Sequence, residues 1–250
     1  MEVPEGKKIY FSSDNHLGAP TAEESRPREE KFVAWLDKIS EDAAAIFLLG
    51  DLFDFWFEYK HVVPKGFVRV LGKLAQLSDR GIPIYFFVGN HDLWMNDYFE
   101  KELKIPVFHR PKEFTFNDKK FLIGHGDGLG PGDKGFKRMK KVFTNPFAKW
   151  LYRWLHPDLG VPLAQYFSVK NKAISGKEDV EFLGEDKEWL IAYCRRKLEK
   201  KHYDYFLFGH RHLPIDFQLT KDSKYINTGD WINFYTYAEF DGKELHLKEW

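Results

Sequence analysis

Cysteine is almost missing from this chain. The one thiol, Cys194, cannot form an internal disulfide, and such usage fits a reducing compartment. Long apolar runs are missing too: none approaches the roughly 20 residues that a membrane-crossing helix needs. The opening MEVPEGKKIYFSSDNH has no apolar stretch of the kind that drives secretion, so no signal peptide is expected. Net charge is lacking. The 38 basic side chains balance 38 acidic ones, so no global field draws the chain to nucleic acid or to an anionic bilayer. There is no internal repeat and no low-complexity tract. Three catalytic signatures are also absent: no C-x5-R phosphate cradle, no G-x-S-x-G elbow and no Walker glycine loop. Covalent phosphatase chemistry, serine hydrolysis and P-loop nucleotide use therefore lack their residues.

What is present in excess is aromatic. Aromatics make up 18% of the 250 residues, with 24 Phe and 8 Trp. Several short runs rich in aromatic and β-branched residues read as buried strands, each ending in a glycine or a polar turn. They are KIYFSSD (8–14), AAIFLLGD (44–51), PIYFFVGN (83–90), KFLIGHGD (120–127), DYFLFGH (204–210) and KYINTGD (224–230). Phe32, Trp35, Leu36 and Ile39 recur at helical spacing between the first two. Phe67, Val70, Leu71, Leu74 and Leu77 do so before the third, where Gly81 and Pro83 stop the helix. A later helix is expected over about 185–201, carrying Leu190, Cys194 and Leu198, and the tail FDGKELHLKEW reads as a hairpin. Strand alternating with helix means crossover units and an α/β layered fold. One stretch, about 131–182, has no strand signal. Asn-Pro, His-Pro and Gly divide it into short helices, one with Phe147, Trp150, Leu151, Trp154 and Leu155 in a stripe. It reads as a helical cap inserted into a single domain spanning 1–250.

The strand ends carry the chemistry. The first ends in Asp14 and His16, the second in Asp51 and Asp54, the third in Asn90, His91 and Asp92. The fourth ends in His125 and Asp127, the fifth in His210 and His212. Five of the chain's ten histidines fall in these turns. Ligands of open α/β sheets bind outside the carboxyl ends of strands. Imidazole with carboxylate, and no thiolate, suits Mn, Fe, Zn or Co. Two metals about 3.5–4 Å apart need ligands on each side and a shared carboxylate, and this set is large enough to supply them. The D-x-H spacing of Asp14 and His16 is expected to point both to one face of a strand end, as is that of His210 and His212. Each residue alone would pass as a cap or a satisfied buried polar group. Their concurrence at five strand ends is what marks a site.

The series D-x-H, G-D-x-x-D, G-N-H-D, G-H and G-H-x-H, in this order over about 8–230, resembles the calcineurin-like metallophosphoesterase superfamily. That resemblance implies a four-layer αββα sandwich and two divalent metal ions. Carried over position by position, Asp14, His16, Asp51 and His212 would hold one metal. Asp51, Asn90, His125 and His210 would hold the other, with Asp51 bridging. His91 would sit near the leaving group or a nonbridging phosphate oxygen, oriented by Asp92. The reaction would be phosphoester or phosphoanhydride hydrolysis by metal-activated water.

Within the superfamily, SDNHLG, the GDLFD–W stretch, GHGDGLGPGD and the helical insertion after it are similar to the UDP-2,3-diacylglucosamine pyrophosphatases of the lipid A pathway. The resemblance implies a nucleotide-linked glycolipid substrate cleaved to UMP and 2,3-diacylglucosamine 1-phosphate, with Mn2+ as the usual metal. Substrate contacts would come from Asn90, His91 and His210, from Asp133 after the G-H-G-D motif, and from Ser168, Asn171 and Lys172 of the cap. The acyl chains would lie near Trp150 and Trp154. Such a substrate implies a cytoplasmic protein that visits the cytoplasmic face of the inner membrane. Phe53, Phe55, Trp56 and Phe57 crowd the turn after Asp51, and they are not all expected to face inward. The chain departs from many members in having His91 where they have Arg. Other metallophosphoesterase activities are the alternative: a nucleotide-sugar or cyclic-nucleotide phosphodiesterase, or a phosphomonoesterase. A catalytically silent scaffold would have lost ligand positions, and here all are filled. A nuclease would find only KGFKRMKK (134–141) as a basic grip, so no nucleic-acid partner is expected.

Overall fold

The alternation of side chains along the strands decides the layers. In a computed structural model, which describes residues 1–131, 134–175, 181–182 and 184–250, the strands form two sheets. The first contains β1 (Lys8–Ser12), β2 (Ala43–Leu48), β3 (Ile84–Phe87), β4 (Val107–Phe108), β10 (Thr236–Phe240) and β11 (Leu245–Glu249). Their spatial order is β11-β10-β1-β2-β3-β4, with β1 to β4 parallel. The second contains β5 (Lys112–Phe116), β6 (Lys119–Ile123), β7 (Tyr205–Phe208), β8 (Pro214–Thr220) and β9 (Ser223–Thr228), in the order β5-β6-β7-β9-β8. Ile9, Phe11, Ala45, Phe47 and Phe87 of the first sheet meet Phe116, Phe121, Ile123, Leu207 and Ile226 of the second in one core. The residues between them point outward. Tyr10, Ile46, Leu48 and Phe86 pack under α1 (Ala22–Ile39) and α2 (Val68–Asp79). Leu122, Phe206, Phe208 and Tyr225 pack under α7 (Trp189–Leu198). Both faces of the central strands are thus covered, which is why they read as unbroken apolar runs. The result is helix, sheet, sheet, helix, in four layers.

All six expected strands are present, and each stops short at its carboxyl end. After β1, β2 and β7 the reason is backbone conformation. Asp14, His16, Asp51, His210 and His212 all have positive φ, between 44° and 72°. A left-handed residue cannot continue a ladder, so the polar residues that ended each apolar run lie in turns beyond the strands. The edge strands β5 and β8 were not among those expected from the sequence. Their side chains alternate with solvent-exposed polar ones, which dilutes the apolar signal.

Between β6 and α7 the chain forms α4 (Lys134–Phe143), α5 (Pro146–Arg153) and α6 (Pro157–Ser175), with no strand among the described residues. These helices meet the body through an aromatic seam. Tyr152 of α5 lies 4.7 Å from Phe57, 4.6 Å from Trp94 and 6.4 Å from Phe55, ring centre to ring centre. The Trp94 indole also donates to the Phe143 carbonyl at 2.6 Å. The crowd after Asp51 is resolved by this seam: all four aromatics are buried. Phe53 and Trp56 enter the core under α2, while Phe55 and Phe57 turn toward α5. The expectation that some of them would face outward fails because two interiors, body and helical seam, border the same turn.

Phe47 touches Phe11 in its own sheet and Phe114 and Phe116 across the gap, at ring distances of 5.1, 5.1 and 5.6 Å. Phe47→Ala is expected to destabilise the fold by about 3–5 kcal/mol in urea denaturation, since it leaves a cavity between two rigid sheets. A loss below about 1 kcal/mol would show that the sheets do not pack through this residue.

Candidate di-metal centre

Six strand ends converge at one edge of the sandwich, three from each sheet. The turns run side by side past the strands: Asp14 N–H donates to the Gly50 carbonyl, His16 N–H to that of Asp51, and Gly209 N–H to that of His125. Three groups of side chains each place one donor atom apiece within 4.8 Å of one another. They are Asp14, His16 and His212; His16, Asp51 and His91; and Asp51, His125 and His210. Asp51 Oδ1 accepts the His91 amide at 2.8 Å. Its Oδ2 faces both sides, 3.7 Å from His16 Nε2 and 3.3 Å from His125 Nε2. Asn90 Oδ1 lies 3.1 Å from His125 Nε2. The seven residues expected as ligands lie together in these turns, with His91 beside them. The D-x-H pairs converge through left-handed turns, however, not through strand alternation, because neither pair lies on a strand.

The fit to cations can be judged from the carboxylates. Asp14 is fully buried, and its Oδ1 accepts no hydrogen bond among the described residues. The nearest basic atoms are His212 Nε2 at 3.5 Å and His16 Nε2 at 3.9 Å. A buried carboxylate oxygen left without a donor is costly, and a cation between it and two imidazoles would satisfy it. Burial raises the Asp14 pKa. Burial acts the same way on Asp51, but the His125, His91 and His16 imidazoles overcome it and hold the carboxyl well below its usual range. Burial opposes a charge on His125, yet Asp51 and Asp14 lift it to about 10. His210, buried beside His125, is pushed down to about 3. The nitrogen and oxygen donors, without sulfur, fit divalent transition metals.

A second layer fixes the rings. Asp54 Oδ1 lies 3.1 Å from His16 Nδ1, and the Asp54 carbonyl lies 3.0 Å from His91 Nδ1. Asp230 Oδ2 lies 3.3 Å from His212 Nδ1, and the Leu49 carbonyl 2.8 Å from His125 Nδ1. Each contact leaves Nε2 as the atom turned to the centre. The expected pairing of Asp92 with His91 is not found. Asp92 instead accepts from Gly89 N–H at 2.5 Å and Leu52 N–H at 3.1 Å, bracing the turns that carry Asn90 and Asp51. Burial, with the Asp51 charge beside it, raises Asp92 to about 8. Asp230 was missed by sequence reasoning although NTGD repeats the glycine-aspartate ending of the second strand. Ser168 of α6 reaches the centre: its hydroxyl donates to Asp54 Oδ2 at 2.7 Å and lies 2.9 Å from His91 Nδ1. Asp133 lies outside the described residues, as do the side chains of Asn171 and Lys172.

The calcineurin-like phosphoesterase family profile matches residues 7–214. The chain belongs to that family. Among curated relatives of this phosphoesterase, a Porphyromonas gingivalis protein named UDP-2,3-diacylglucosamine hydrolase is 38% identical over 253 residues, covering 96% of this chain and 97% of the relative. Proteins of the same name from a Shewanella species and from Actinobacillus succinogenes are 28% and 25% identical, covering 90% and 97% of the chain. The family and these relatives make the chain a hydrolase with divalent metals.

Glycine matters here for close approach. A Cβ on Gly89 would lie 2.6 Å from the Asp51 amide nitrogen and would collide with its carboxylate. Gly89→Ala is expected to lower Mn2+ content and to reduce turnover at least about 100-fold, read by metal analysis and a phosphodiester assay. Full metal loading would mean that the turn can yield. A second outcome follows from His125. A proton must leave it before it can coordinate, so Mn2+ affinity should rise with pH up to about 10 and binding near pH 8 should release about one proton. Calorimetry in buffers of different ionisation enthalpy reads that proton; no release would remove His125 from the ligand set.

Proposed function

We propose that this phosphoesterase hydrolyses the pyrophosphate of UDP-2,3-diacylglucosamine to UMP and 2,3-diacylglucosamine 1-phosphate, using two divalent ions, Mn2+ foremost. Asp14, His16, Asp51 and His212 would hold one ion, and Asp51, Asn90, His125 and His210 the other. When bound, such a pair activates water and offsets the charge that develops on an in-line phosphoryl centre. The chain's own groups do the rest. The Asp51 carboxylate is locked by the His91 amide, so the two halves of the site keep a fixed spacing. His91 has Nδ1 engaged by the Asp54 carbonyl and the Ser168 hydroxyl, which leaves Nε2 to face a nonbridging or leaving oxygen, as a hydrogen-bond donor in the imidazolium form. Helices α4 to α6 act as a cap within one domain, and Ser168 brings the cap to the reacting phosphate.

The observation that carries the lipid reading is the outer face of that cap. Phe147 is 66% exposed, Trp154 75% and Leu159 68%, with Trp150 and Leu151 half exposed beside them. The stripe does not pack on the body. Apolar surface of this extent marks an interaction site. Carried on a cap whose Ser168 reaches the candidate centre, it suits a substrate with a charged head and acyl chains. No described helix is long and apolar enough to cross a membrane, so a lipid substrate would be met at the bilayer surface.

The test is an assay of Mn2+-loaded protein on UDP-2,3-diacylglucosamine with detection of UMP, run beside bis(p-nitrophenyl) phosphate. Strong UMP release and weak hydrolysis of the small diester are expected; good diester turnover without UMP would discard the substrate. The doubly substituted Trp150→Ala, Trp154→Ala protein should lose at least about tenfold more rate on the diacylated substrate than on the diester. Equal losses would separate the stripe from substrate binding.

A further inference from the structure

Beside the metal-ligand turns lies a cleft that the reading above leaves unused. It has a volume of about 390 Å3 and continues into a second cavity of about 310 Å3. Its walls are the β4–β5 turn at His109 and Arg110, the turn Gly126–Leu129, and helices α4 and α5. Metal-ligand candidate His125 forms part of its inner end, so the cleft opens onto the reacting centre. Among the described residues five cations line the two cavities: Arg110, Lys137, Lys140, Lys141 and Lys149. In a chain of zero net charge this is a local concentration, and it faces a concave surface, where fields focus.

Their partners decide what the cleft can hold. Lys140 pairs with Asp127, and Lys137 donates to the Gly130 carbonyl. The side chains of Arg110, Lys141 and Lys149 make no hydrogen bond or ion pair among the described residues. Lys149 is half-buried, and burial lowers its pKa. The carboxylate whose charge reaches it, Glu58, is already engaged: it accepts the amides of Asn96, Asp97 and Tyr98 and the Trp56 indole. An anion in the cleft would therefore meet donors that nothing else occupies. The floor is different in kind. Phe87, Val88 and Phe108 line it with apolar atoms, Phe108 half-buried and the other two buried. A base against the apolar floor, with its phosphate among ammonium and guanidinium groups, matches both surfaces.

We propose that this cleft binds the nucleoside monophosphate half of the substrate, between the metal-ligand turns and the cap helices α4 and α5. The proposal rests on the substrate reading above. The Gly89–Asp92 turn offers His91 and no guanidinium, so Arg110 is the group that supplies a planar, two-pronged phosphate contact. The cavity size falls within the roughly 300–1,000 Å3 typical of small-molecule sites.

The probe is UMP, titrated into Mn2+-loaded full-length protein and compared with glucosamine 1-phosphate. The doubly substituted Arg110→Gln, Lys149→Gln protein should bind UMP at least about tenfold more weakly, with Mn2+ affinity and glucosamine 1-phosphate affinity held. Lys221→Gln, on an exposed turn of the second sheet, is the control and should change none of these. Unchanged UMP affinity in the double variant would overturn the proposal. Equal weakening of both ligands would also overturn it, reducing the cleft to an unselective anion trap. The two readings fail separately. If UDP-2,3-diacylglucosamine is not cleaved but UMP binding still depends on Arg110 and Lys149, the nucleotide cleft stands and the lipid substrate falls.

Discussion

Two carboxylates buried at the seam between the sheets, Asp14 and Asp51, set the terms for everything around them. Neither has more than a trace of solvent contact. Ionised groups in that position demand compensation, and the fold delivers it from the opposite sheet. Asp14 Oδ2 accepts the His210 amide at 2.9 Å, so a turn of the second sheet caps a side chain of the first. His125, also of the second sheet, lies against Asp51 and is pulled toward its charged form. The Leu49 carbonyl of the first sheet meets the other nitrogen of the same ring. Remove the carboxylates and the histidines have no reason to be buried; remove the histidines and the carboxylates cannot stay ionised.

This demand explains the backbone. Five of the key residues occupy left-handed conformations that cost about 1 kcal/mol or more apiece for a non-glycine residue. Such strain persists only where packing and hydrogen bonds over-determine it. Here neighbouring turns bond to one another along their length, and Asp54 and Asp230 hold the imidazoles from behind. Gly89 and Gly209 serve the same end by leaving out a side chain where another turn's carboxylate passes.

The layers were legible in the sequence because their physics is local. Unbroken apolar runs, separated by helical stripes such as Phe32–Ile39, leave few arrangements open. The site was legible at the level of residue types for the same reason: polar residues that end apolar runs must be answered by partners. What could not be read was orientation. Whether Asp92 turns to His91 or to the amides of Gly89 and Leu52 depends on two turns from different strands meeting in space. The fate of Phe55 and Phe57 depended on Tyr152, almost a hundred residues away. Asp230 shows the opposite failure. Its signal was present, but its role exists only through His212.

The candidate ligands are shared between the two sheets. Asp14 and His16 come from one sheet and His212 from the other; Asp51 comes from one and His125 and His210 from the other. Cations held by these sets would join parts of the chain nearly two hundred residues apart. They would act as non-covalent cross-links between the halves of the sandwich. A ligand that binds only the assembled state adds stability with the logarithm of its concentration, about 2.7 kcal/mol at a hundredfold excess over its dissociation constant. A protein with a single buried thiol would thus gain through ion binding the clasp that other proteins gain through a disulfide. That clasp would be opened by a chelator and be indifferent to a reductant.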